Sequence, residues 1–262
     1  MPIYQVKYVG FSNVSQSQSW IFTLNRHTKA VDVLAMSMHG ALLLTGGNDS
    51  RVVVWNLTSG EMIQEIISPA AGYISAITWV TDNVHSCQAL FKFHSTTIGH
   101  SGPVESLAWD PVHHRLASAG DGRPHVWNFM PDKTLTSITS KLDKQPYVAH
   151  TVHFYDNGAS LLVSYLESSE MYMYHNNCDF TLTKVQGRIG NTTLEGNFLL
   201  VSNLKDGVDK YSVPTLQCVQ SYSHVILWNM PLQISIARQA GLIFIGGNDG
   251  FARIFHYSTG VY

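Results

Sequence analysis

Thirteen histidines in a chain of 262 residues raise two chemistries at once: metal ligation, and base catalysis beside a hydroxyl nucleophile. Spacing argues against the first. His150 and His153 stand three apart on an expected strand, which sends them to opposite faces. His113-His114 falls in an expected hairpin turn. Zinc-type ligand spacings do not occur, and the three cysteines, Cys87, Cys178 and Cys218, lie far apart. Neither a metal nor a cofactor is expected. For the second chemistry, GHSGPV over residues 99–104 offers a Ser beside a His. Yet the chain has no Gly-x-Ser-x-Gly elbow, phosphate-cradling loop or dinucleotide fingerprint. No catalytic residue is assigned.

Two of the histidines belong to a pattern instead. His27 precedes Trp55 by 28 residues and His100 precedes Trp127 by 27, while Asp49 and Asp121 each sit six before their Trp. The turn itself recurs: LTGGNDSRVVVWN over 44–56 and IGGNDGFARIF over 245–255 both place an aromatic six residues past the Asp. Matched spacing at several types of residue marks an internal repeat.

The elements that must carry these residues are short strands. In HTKAVDVLAMSMHGALLLTGGNDSRVVVWNL, strands are expected over Val31 to Met36, Ala41 to Thr45 and Arg51 to Trp55, separated by turns at His39-Gly40 and Gly46 to Ser50. Apolar runs punctuated by Gly, Asn and Asp are hairpin signals. GHSGPVESLAWDPVHHRLASAGDGRPHVWNF, 99–129, repeats the plan, and weaker copies start near Val148, Gly190 and His224. First turns fall near Gly40, His113, Gly158, Gly196 and Gly241, spaced by 73, 45, 38 and 45 residues. The 73 reads as two units, one shortened: YISAITWV, 73–80, looks like a strand, but no Asp-then-Trp pair follows before His100. The units are thus expected at about 27–67, 72–97 (shortened), 99–140, 147–185, 188–221 and 224–262, in one domain over 1–262.

Composition agrees with a sheet-rich protein. Charged residues are only 13% of the chain, and Ser, Thr, Gly and aromatic residues are plentiful. A net charge of −2 gives no field to favour nucleic acid or an anionic membrane. Sparse cysteines, and an N-terminus (MPIYQVKYVG) without an apolar core, suggest an intracellular protein, cytoplasmic or nuclear.

Gly99-His100, the turn aspartates, and Trp55-Asn56 and Trp127-Asn128 together resemble the WD-repeat (Trp-Asp repeat) family of β-propellers. The resemblance covers about Trp20 to Tyr257. It implies an all-β ring of four-stranded antiparallel blades: six by this parse, with seven or an incompletely closed ring as alternatives. It also implies a hydrogen-bonded chain in each well-formed blade: His27, Thr45, Asp49 and Trp55 in one, His100, Ser118, Asp121 and Trp127 in another. WIFTL, 20–24, would close the last blade as its outer strand. Pro124 departs from the pattern, since it stands inside an expected strand and cannot donate to a ladder.

The function implied is that of a non-catalytic scaffold for a protein partner. Asn48, Arg51 and Asn248 flank the second turns, on the face such proteins most often use, and are candidate contacts. A propeller hydrolase or lyase with a site at the channel mouth is an alternative, and a degenerate or truncated copy of a larger WD-repeat protein is another.

Overall fold

The structure, a computed structural model, describes residues 6–10, 19–37, 40–67, 72–80, 91, 97, 99–138, 144–175, 179–185, 187–247 and 252–261. It divides into two compact units, residues 1–98 and 99–262.

In the first unit, β1 (Val6–Gly10) pairs antiparallel with β2 (Ser19–Leu24) in a two-stranded sheet. The first blade follows as β3 (Val31–Met36), β4 (Leu42–Gly47), β5 (Arg51–Asn56) and β6 (Met62–Ile67), an antiparallel meander in chain order. Why β4 is buried at every position is plain from its sequence, LLLTGG: it is apolar or small throughout and has a neighbouring strand on each side. The small residues matter at the turn. A side chain at Gly47 would come within 2.5 Å of the Ala30 carbonyl oxygen, so only glycine lets the chain cross there. Leu24 packs with Leu43, Val53, Trp55 and Leu57 in the core of this unit.

The second unit holds four more blades. The second blade is β7 (Val104–Asp110), β8 (Arg115–Gly120), β9 (Arg123–Phe129) and the short β10 (Leu135–Ser137). The third is β11 (Ala149–Tyr155), β12 (Ser160–Tyr165), β13 (Glu170–His175) and β14 (Asp179–Lys184). The fourth is β15 (Thr192–Glu195), β16 (Phe198–Ser202), β17 (Gly207–Ser212) and β18 (Cys218–Ser223). The fifth has three strands among the described residues: β19 (Ile234–Ala237), β20 (Leu242–Gly246) and β21 (Ala252–His256).

Their core lies between consecutive sheets. Leu161 and Val163 of β12 face Ala117, Ala119 and Val126 of the second blade, while Leu162 faces the other way, onto Leu199 and Val201 of the fourth. Leu200, next in line, turns to Ile234, Ile243, Ile245 and Phe255 of the fifth. A strand buried on both faces needs apolar residues without alternation, which is why LLV and LLV stand in the middle of β12 and β16. Pro124 fits because β10 reaches only to Trp127; opposite Pro124 the described residues place β8 on one side of β9 and no strand on the other.

The architecture is therefore all-β, with the four-stranded antiparallel blades of a β-propeller, and one expectation needs correction. Among the described residues five blade sheets are present and not six. The segment 72–80, expected to begin the second unit, forms no strand. Its polar groups bond instead to the first blade: Ile74 N–H donates to the Gly47 carbonyl at 3.1 Å, and Trp79 Nε1 to the Ala35 carbonyl at 3.0 Å. An alternating apolar run becomes a strand only where a second run pairs with it, and the candidate mate at 84–97 lies almost wholly outside the described residues. Ser19–Leu24, expected to close the last blade, pairs with β1. A strand eight residues away in the chain closes a short loop, at little entropic cost.

Candidate functional site

The repeat residues converge at the second-turn ends of the first and second blades. In the first, Trp55 Nε1 donates to Thr45 Oγ1 at 3.0 Å, Thr45 Oγ1 lies 2.7 Å from His27 Nε2, and His27 Nδ1 lies 3.0 Å from Asp49 Oδ1. In the second, Trp127 Nε1 donates to Ser118 Oγ at 3.1 Å, Ser118 Oγ is 2.8 Å from His100 Nε2, and His100 Nδ1 is 2.8 Å from Asp121 Oδ1. One proton assignment gives every donor one acceptor. The indole N–H points to the hydroxyl, the hydroxyl hydrogen to Nε2, and the Nδ1 hydrogen to the carboxylate.

Backbone elements position each chain. The Asp follows the tight Gly-containing turn, and its second oxygen accepts the N–H after the His: Thr28 N at 2.8 Å, Ser101 N at 3.0 Å. Ahead of the His, Gly99 lies against the Trp127 ring, where a side chain would fall 2.3 Å from it. Burial pushes the Asp49 and Asp121 carboxyls up. The hydrogen bonds they accept outweigh it and hold both below the usual carboxylate range, Asp121 well below. Asn56, in the place of an Asp, accepts Thr58 N–H at 2.8 Å through Oδ1, so the amide performs the turn-capping that a carboxylate would.

The candidate contacts fare differently. Asn48 is exposed at its turn. Arg51 is half-buried: it pairs with Glu65, and its Nε lies 3.7 Å from Asp49 Oδ2. Arg26 joins the same Glu65 at 2.6 Å. Asn248 lies outside the described residues.

Other polar centres escaped the spacing argument. Asp110, buried at the end of β7, accepts from His113 Nδ1 at 2.9 Å and from Arg115 Nη2 at 2.8 Å, and Arg115 also bonds the Gly158 carbonyl of the third blade. Asn203 Oδ1 accepts three consecutive N–H groups, from Lys205, Asp206 and Gly207, at 3.0, 3.0 and 3.1 Å. In the fourth blade one amide thus builds the turn that His and Asp build elsewhere. His153 Nε2 lies 2.9 Å from Thr192 Oγ1, and burial pushes the imidazole down to about 4. The sequence signals were present but generic: Asp-Pro before a turn at 110–111, and Asn three before Asp-Gly at 203.

Among the described residues, a histidine and an acid of the first strands β11 and β7 approach each other at His150 Nδ1 and Glu105 Oε2, 3.4 Å apart. Among the described residues no group of three His, Cys, Asp or Glu is placed to hold a metal ion. None of the helices there is long and apolar enough to cross a membrane.

Sheets of this kind, tied by a His–hydroxyl–Asp–Trp chain, define the propeller class. Comparison with known proteins names the family. The family model "WD domain, G-beta repeat" matches residues 18–56 and 91–128, the stretches that contain both chains. The chain carries WD repeats at these two places. Cell division cycle 20.6, cofactor of APC complex, from Arabidopsis thaliana, is 27% identical over 157 residues, covering 52% of this chain and 36% of that protein. Kinesin-like protein KIF21B from Mus musculus is 27% identical over 120 residues, covering 41% of this chain and 7% of its own length. The matched regions thus span about a third of one relative and under a tenth of the other.

Proposed function

We propose that this chain is a non-catalytic scaffold that presents loops of its blades to a protein partner, inside the cell and without nucleic acid, membrane or cofactor. The observation that carries the reading is the connection between β18 and β19. Val225, Leu227, Trp228 and Met230 are exposed within six residues, Trp228 at 71%, and no charged residue occurs between Gln217 and Ala237. Clustered exposed apolar side chains mark interaction surfaces, and Trp is the side chain most often found at the energetic centre of one. Asn48, Arg51 and Asn248 are secondary contacts in this reading, and the chains through His27 and His100 are structural. The blades form a single propeller over 1–262, and residues 20–24 complete its last blade. By its name the Arabidopsis relative is a cofactor of the APC complex, and a subunit of a protein complex is the class of partner expected here.

The test is purification of the tagged protein from its own cells, as wild type and as Trp228→Ala, with mass spectrometry of what accompanies each. A reproducible partner that falls more than tenfold with Trp228→Ala, at unchanged melting temperature, supports the reading. No reproducible partner would sink the scaffold. A partner kept at full yield would move the contact elsewhere.

A further inference from the structure

The first-turn ends of the fourth and fifth blades, opposite the Val225–Met230 segment, enclose a cleft of about 340 Å³. Glu195 and Gly196 of the β15–β16 turn, Phe198, Ile236, Arg238 and Tyr257 line it. Arg238 Nε lies 2.8 Å from Glu195 Oε1, yet the side chain is 79% exposed, and among the described residues its two terminal nitrogens make no hydrogen bond. Behind the aromatic walls stands a second cation. Lys210 Nζ sits 3.7 Å from the centroid of the Tyr257 ring and 4.4 Å from that of Phe198. The residue is only 7% exposed, and no described carboxylate lies within ion-pair distance. Its charge is balanced by ring faces alone, and burial lowers its affinity for the proton.

We infer that this cleft binds an acidic side chain of an extended segment of the partner protein. The inference rests on the scaffold reading and deepens it, by placing a recognition site at the end of the blades away from Trp228. Charge complementarity selects the occupant: Glu195 is the one carboxylate lining the cleft, Arg238 lines it with a guanidinium edge to spare, and Lys210 adds positive charge from behind the aromatic wall. The free edge of the Arg238 guanidinium presents the paired N–H groups that a carboxylate takes bidentately. Glu195 opposes a second negative charge, which favours a carboxylate over a phosphate. Phe198, Ile236 and Tyr257 supply apolar wall for the residues beside the acid, which a free small anion would leave uncovered.

The probe is a phage-displayed library of random peptides selected on the full-length protein. Selected peptides are expected to carry Asp or Glu at a fixed position with apolar neighbours. They should lose at least tenfold in affinity on Arg238→Glu, and recover on that variant when their own acid is changed to Lys. Lys210→Met, which keeps the packing and removes the charge, should weaken them less. Peptides without an acidic position, affinity indifferent to Arg238→Glu, no selected peptide, or inorganic phosphate competing as well as the peptides would each overturn the cleft. The two readings separate cleanly. A cellular partner lost on Trp228→Ala but kept on Arg238→Glu leaves the scaffold standing and removes the cleft.

Discussion

The second and fourth blades solve one problem by different means. Each must turn its chain tightly after its second strand and satisfy the buried polar groups there. The second blade uses residues far apart in sequence: His100 reaches Ser118 and Asp121, and Trp127 closes the series. The fourth uses one residue, Asn203, which binds the next three N–H groups of its own turn and leaves the blade to be held by Leu199, Leu200 and Val201 between its neighbours. A polar chain across a blade demands fixed residue types at fixed positions. Local capping plus apolar packing accepts many sequences.

Substitutions can break that comparison, and the largest effect belongs to the apolar side. Leu200 is fully buried between the fourth and fifth blades, and Leu200→Ala should cost about 2–5 kcal/mol by chemical denaturation. A cost under 1 kcal/mol would mean that packing does not hold this blade. Asp121→Ala removes the acceptor beside a buried imidazole and should cost about 1–3 kcal/mol, and Asn203→Ala, which orphans three N–H groups, a similar amount. If Asn203→Ala proves silent while Asp121→Ala does not, the two turns are not equivalent solutions.

Acid sharpens the contrast. The folded pKa of His153, about 4, lies below the ordinary value of 6.5, so the unfolded chain binds the proton more readily. Stability should therefore be intact above pH 6.5 and decline as pH falls towards 4. The depressed carboxyls of Asp49 and Asp121 contribute stability above the ordinary carboxylate range, lost only at lower pH still. Melting temperature against pH should thus fall in two stages, and His153→Gln should flatten the upper one alone. Smallest of all is Trp127→Phe, which keeps the ring bulk and deletes one donor, at about 0.5–1.5 kcal/mol.

The same contrast explains what the sequence disclosed. The first and second blades were legible because His27, Asp49 and Trp55, and their counterparts, must recur at fixed spacing. The third blade was legible only as strand–turn–strand, since Tyr172 and Tyr174 stack near Tyr165 without any such spacing. Asp110 and Arg115 read as ordinary turn residues because the bond that ties them to the next blade, from Arg115 to the Gly158 carbonyl, depends on a neighbour 43 residues on. Residues 73–80 misled for the converse reason: apolar alternation gives a strand its face but not its partner. Exposed Trp228 was invisible to periodicity, which registers only what faces inward.

The central claim is that His100, Ser118, Asp121 and Trp127 act as one unit. A double-mutant cycle of Ser118→Ala and Asp121→Ala, with unfolding free energies by urea titration, tests it most directly. Neither residue touches the other; His100 stands between them. A coupled chain predicts an interaction energy of about 0.5–3 kcal/mol. Losses that add to within about 0.3 kcal/mol would show that the hydrogen bonds act separately and would contradict the account.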